Sequence, residues 1–212
     1  MNPNTEFIVV RHGETAWNAE GRIQGHLDSP LNEEGLAQAL LLADRLAREH
    51  FSHLYSSDLG RALRTAQPIA DRSGRRVIPA PGLRERHLGV FQGLTGIDCE
   101  RMHFAEYARF QSRDPEHAVP GGESVSEVYQ RVRSEFIGLA SRHAGQRVVV
   151  VTHGGVLDAL YRFVTGTPLN RLRDFPIFNA SINVVRLTDA RWSVERWGDI
   201  SHLTRDAALD DF

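Results

Sequence analysis

Two short runs of mostly β-branched residues mark the chain, Phe7 to Val10 and Val148 to Val151, and each is followed closely by a His-Gly pair. Unbroken apolar runs of this length predict parallel strands buried on both faces. Between them the period changes. Asn32 can cap a helix to about Glu49, with Leu36, Ala39, Leu40, Ala43, Leu46 and Ala47 on its inner face. A strand at His53 to Ser56, a helix from about Asp58 to Arg72 and a strand around Arg76 to Ile78 follow. The segment from Arg86 to Glu123 breaks the rhythm with scattered aromatics and arginines, a short helix from about Thr95, and the turn Pro120-Gly121-Gly122. Ser124 and Glu127 form a capping box for a long helix with Val125, Val128, Val132, Phe136, Leu139 and Ala140 inward. A helix over Val156 to Thr165 and strands at Ser181 to Leu187 and Trp192 to Trp197, a hairpin at the sheet edge, close the pattern. This alternation predicts an α/β three-layer sandwich: a mainly parallel central sheet with helices on both faces. Residues 1–212 read as one domain, with 86–123 a lid-like excursion above the sheet edge.

Composition narrows the chemistry. At 212 residues, with 41% hydrophobic and 25% charged, the chain can bury a sizeable core, and a net charge of −2 disfavours nucleic acid or an anionic membrane as partner. All 25 basic residues are arginine, so neither a lysine Schiff base nor a GxxxxGK phosphate loop can form. Cys99 is the only cysteine, which excludes an internal disulfide and a cysteine-based zinc cluster and fits a reducing compartment. With no leader-like start and no apolar run approaching ~18 residues, a cytoplasmic protein is expected. Oligomeric state is left open by the sequence, with the closing hairpin a candidate edge for a homodimer.

Both His-Gly pairs stand where a parallel sheet binds ligands, at the carboxyl ends of strands. Neighbouring strands lie about 4.8 Å apart, so His12 and His153 can face one small group. Glycine after each histidine permits a close backbone approach, and Gly154-Gly155 opens a helix whose N–H groups favour an anion. Arg11 and a helical arginine, Arg61 or Arg64, would supply guanidinium forks, so a phosphoryl group fits best. The other histidines, His26 among them, read as surface residues, since none has a convincing zinc spacing. Neither a cysteine-phosphatase loop nor a DxDxT-like aspartyl nucleophile is present.

RHGETAWN at 11–18, SSDLGRALRTA at 56–66, LRERHLG at 83–89 and THGG at 152–155 together resemble the histidine phosphatase superfamily, also called phosphoglycerate mutase-like. The resemblance covers about residues 6–190. It implies that His12 is the nucleophile that becomes phosphohistidine, that Arg11 and Arg61 clamp the phosphate, that His153 is the second pocket histidine and that Glu85 is the proton donor. It further implies that Asn18, Gln24, Gly25 and the Gly154 amide line the phosphate or substrate pocket, and that no metal is needed. The expected activity is hydrolysis of small phosphorylated metabolites. A phosphoglycerate mutase, needing a 2,3-bisphosphoglycerate primer, is the alternative; a non-catalytic phospholigand-binding module is a third class. The chain is short between Glu85 and His153 and lacks the lysine and paired arginines expected of a mutase, which favours hydrolysis.

Overall fold

The computed structural model describes residues 4–203 and residue 210. Its elements run β1 (Thr5–Arg11), α1 (Ala16–Ala19), α2 (Glu33–Leu46), β2 (His53–Ser56), α3 (Gly60–Ser73), β3 (Val77–Pro79), α4 (Gly96–Met102), α5 (Phe104–Gln111), α6 (Val125–Arg142), β4 (Arg147–Thr152), α7 (Gly154–Thr165), β5 (Ile182–Thr188) and β6 (Arg191–Asp199). One sheet joins all six strands in the order β3-β2-β4-β1-β5-β6. The first four are mutually parallel, while β5 pairs antiparallel with β1 and with β6, so the expected hairpin does form one edge.

The near-continuous apolar runs have the predicted cause. On β1, Phe7 and Val9 enter a core with Val148, Val150, α6 and α7, while Ile8 and Val10 enter a second core with Val149, Val151, α2 and α3. Period-two side chains thus bury both faces of the same strand. β4 lies between β2 and β1 although it is the fourth strand in sequence, and β1 and β4 run side by side with Arg11 opposite Thr152. Chain direction across the sheet reverses at this pair, the switch point where open α/β sheets bind ligands.

Two sequence expectations need correction. Leu36 and Leu40 of α2 are each 48% exposed, whereas Gly35, Gln38, Ala39, Leu42, Ala43 and Leu46 face inward. The helix is rolled because Gly35 touches the loop after β1: a Cβ there would collide with the Glu14 carbonyl oxygen, while Gln38 Oε1 accepts the Glu14 N–H at 2.9 Å. The excursion holds two helices, α4 and α5, rather than one. Leu88, Phe91, Cys99 and Val119, with Ile23, Leu94, Tyr107 and Phe110 beside them, give it a small core of its own. It is strapped to the loop after α1 by hydrogen bonds from Ile23 N to Leu94 O (2.9 Å) and from Gly93 N to Ile23 O (2.7 Å).

Candidate active site

The β1–β4 ladder continues one residue past its strands, with His12 N donating to Thr152 O at 2.9 Å, and Ser57 N likewise donates to Val151 O at 2.9 Å. His12, Ser57 and His153 are therefore delivered side by side at one end of the sheet. The two imidazole centroids lie 5.1 Å apart, and both rings are buried. The pairing anticipated from the two strand-His-Gly stretches is what the fold builds.

His12 has a defined tautomer. Its Nδ1 lies 2.8 Å from Gly13 O, which can only accept, so Nδ1 carries the proton. Nε2 in turn accepts from Arg61 Nε at 3.3 Å and holds the lone pair. Burial holds the His12 pKa well below the ordinary imidazole value, and the positive charges of Arg61 and Arg11 push it the same way. A neutral ring whose unprotonated Nε2 carries the lone pair can act as a nucleophile. Asn179 Nδ2 and Ala180 N both donate to the His12 carbonyl, at 3.1 and 3.2 Å, and fix the backbone behind it.

Arg61 is decided over Arg64 by burial: Arg61 is 1% exposed, and Arg64 faces outward. Its guanidinium is aimed by the loop after α1, donating to Gly25 O (2.8 Å), Leu27 O (3.0 Å) and Asp28 Oδ1 (3.3 Å). Asp28 Oδ1 also accepts the Arg61 N–H at 3.2 Å, serving the start of α3 that Leu59 has no side-chain oxygen to cap. Arg11 is buried on β1 and donates to Ile177 O at 2.6 Å.

His153 Nε2 lies 2.7 Å from Ser57 Oγ. Burial, then Arg61, His12 and Arg11, lower its pKa well below the ordinary value. Glu85 sits in the segment after β3, its backbone tied to α6 through Arg131, which donates to Gly82 O (3.0 Å), Arg84 O (2.8 Å) and Glu85 O (3.4 Å) and pairs with Glu123 at 2.9 Å. Its carboxylate accepts the Gly155 N–H at 3.0 and 3.1 Å, and Oε1 the Arg86 N–H at 2.7 Å. The acidic group found at the start of α7 is therefore the Glu85 side chain, held by Gly155, the neighbour of the expected Gly154 amide.

The remaining pocket candidates are placed unevenly. The Gly25 carbonyl serves Arg61, and Gln24 is buried with its Oε1 making no hydrogen bond within the protein. Asn18 Oδ1 is committed to the cap of α1, accepting from Thr15 N at 3.0 Å and Thr15 Oγ1 at 2.9 Å. Ser57, Asp28 and Asn179 were not singled out by sequence reasoning. Nor was His26, whose ring contacts the Glu85 backbone instead of lying free on the surface. Among the described residues no group of three or more His, Cys, Asp or Glu side chains is arranged to hold a metal ion, and no helix is long and apolar enough to cross a membrane.

Residues 7–200 match the Histidine phosphatase superfamily (branch 1). Phosphoglycerate mutase-like protein 4 of Arabidopsis thaliana is 46% identical over 208 residues, covering 96% of this chain and 89% of that protein. The metal-independent phosphoserine phosphatase of the same plant is 44% identical over 94% of this chain and 84% of its own. The solved structure of Bacillus stearothermophilus YhfR superposes with a TM-score of 0.89 at 34% identity, covering 94% of this chain and 100% of that one. The α/β sandwich is thus shared with that solved structure, and this chain belongs to the histidine phosphatase superfamily. It is an enzyme of the phosphatase class, acting on phosphorylated small molecules.

Proposed function

We propose that the chain hydrolyses phosphomonoesters of small metabolites, without a metal, through a phosphohistidine on His12. The observation that carries this reading is the fixed tautomer of His12, with Nδ1–H held by Gly13 O and the Nε2 lone pair directed beside Arg61. Nε2 attacks phosphorus in line, and the P–O bond to the leaving group breaks. Arg11, Arg61 and His153 spread the charge of the equatorial oxygens. Glu85 passes a proton to the departing oxygen, then takes one from the water that attacks phosphohistidine, which frees His12 and releases inorganic phosphate. Residues 1–212 act as one domain, and the excursion at 86–123 roofs the site. Its strap to the Ile23 loop supports that role.

Hydrolysis is preferred to the mutase reaction because the arginines around Glu85 are already engaged. Arg84 is bidentate on Asp58 (2.7 and 2.5 Å), Arg86 serves Glu123 O (2.8 Å) and His117 O (3.3 Å), and Arg131 pairs with Glu123. A substrate carboxylate or the second phosphate of a bisphosphoglycerate primer would compete with these contacts, and the chain has no lysine to hold it instead. The relative named a phosphoserine phosphatase makes O-phosphoserine the first metabolite to test. Buried, unpaired Cys99 suits a reducing compartment, and the cytoplasm is the site of action proposed.

The test is incubation with p-nitrophenyl phosphate and a panel of phosphometabolites, followed by acid and base treatment of trapped enzyme. Phosphate retained in base and lost in acid, and absent from His12→Ala together with its turnover, is expected. Turnover that survives His12→Ala would overturn the assignment, and conversion of 3- to 2-phosphoglycerate in the presence of primer would transfer it to the mutase.

A further inference from the structure

His26 lies between the two halves of the site. Its neighbours in sequence, Gly25 and Leu27, give the carbonyls that aim the Arg61 guanidinium (2.8 and 3.0 Å). Its ring crosses to the opposite wall, where Nε2 lies 2.7 Å from the carbonyl oxygen of Glu85. That oxygen can only accept, so Nε2 carries the proton and Nδ1 the lone pair. The loop cannot slide under the ring: the His26 N–H donates to Gln92 Oε1 at 2.7 Å, and the ring packs edge-on against His87 with centroids 4.7 Å apart. One imidazole therefore spans the loop that holds the phosphate-facing arginine and the segment that carries the acid. We propose that His26 is a positioning residue that sets Glu85 at the right distance from the phosphate for proton transfer to the leaving oxygen. The proposal rests on Glu85 being the proton donor, and its contact is with the Glu85 backbone, not with substrate.

Leaving-group dependence separates this role from a purely structural one. The ratio kcat/KM reports the steps up to departure of the alcohol and is blind to later hydrolysis of phosphohistidine. Within it, p-nitrophenolate leaves without a proton while an alkoxide needs one. For His26→Ala, kcat/KM on O-phosphoserine or glycerol phosphate should fall about tenfold further than on p-nitrophenyl phosphate, as displacement of a general acid requires. Competitive inhibition by inorganic phosphate should stay within about twofold, because Arg11, Arg61 and His153 remain. His26→Gln, whose side-chain N–H can still reach a carbonyl, should recover most of the alkyl-ester rate. Equal losses on both ester types, or no loss on either, would overturn the assignment. Glu85→Gln run in parallel distinguishes the two failures. If it shows the alkyl-selective loss and His26→Ala does not, the His26 role falls and the mechanism stands; if it shows none, the proton-donor role of Glu85 falls, and the His26 proposal with it.

Discussion

Acid should destabilise this protein from a higher pH than its carboxylates would dictate. His12 and His153 are held well below 6.5, first by burial and then by neighbouring positive charge, Arg61 foremost in both cases. In the unfolded chain both titrate near the ordinary value, about 6.5. Above that pH both are neutral in either state, so the folded protein keeps its full stability. Below it the unfolded chain binds two protons that the folded chain refuses, and stability is lost as pH falls. The limiting slope for two such sites is about 3 kcal/mol per pH unit. His26, His143 and His202, also lowered mainly by burial, steepen it. Urea unfolding followed by tryptophan fluorescence between about pH 7.5 and about pH 5.5 reads the effect directly. The midpoint should be flat down to about pH 6.5 and fall steeply below it, and a His12→Asn, His153→Asn double variant should lose about 3 kcal/mol per pH unit of that slope. A flat profile below 6.5, or a slope unchanged in the double variant, would refute the reasoning. The same depression keeps the His12 lone pair available below pH 6.5, so the acid limb of kcat/KM should lie below the pKa of a free imidazole.

Ser57→Ala removes the hydroxyl next to His153 Nε2 and leaves a buried ring whose Nδ1 also makes no hydrogen bond in the protein. It should cost about 1–3 kcal/mol in denaturant unfolding, and an unchanged midpoint would refute it. Gly35→Ala drives a methyl into the Glu14 carbonyl and should cost about 1–3 kcal/mol, read as a lowered Tm, through overpacking between α2 and the loop behind His12. A Tm equal to that of the parent would mean that α2 can shift freely.

The sequence announced its two central strands because their side chains are apolar on both faces, and it announced His12 and His153 because each ends such a strand. It misread α2, where inward positions are held by a glycine in close approach and by Gln38 serving a backbone N–H; neither contributes to an apolar stripe. It missed α5, a helix of eight residues with none fully buried, whose inward Tyr107 and Phe110 are only partly covered. Ser57 and Asp28 were hidden for another reason. A polar residue at a strand end or in a loop looks like ordinary turn chemistry until folding brings an imidazole or a guanidinium against it. His26 was set aside as a surface side chain because its partner is a backbone oxygen, which no side-chain spacing encodes.

The adjacency of β1 and β4 bears on how activity first arises. The two strands come from opposite ends of the catalytic region, and β4 slots between β2 and β1 only after the excursion and α6 have been made. No fragment ending before His153 can assemble the imidazole pair, so a chain not yet extended to that residue lacks the proposed catalytic centre however much helix it has formed. Return of turnover during refolding should therefore coincide with closure of the sheet centre, the slow long-range event of this topology.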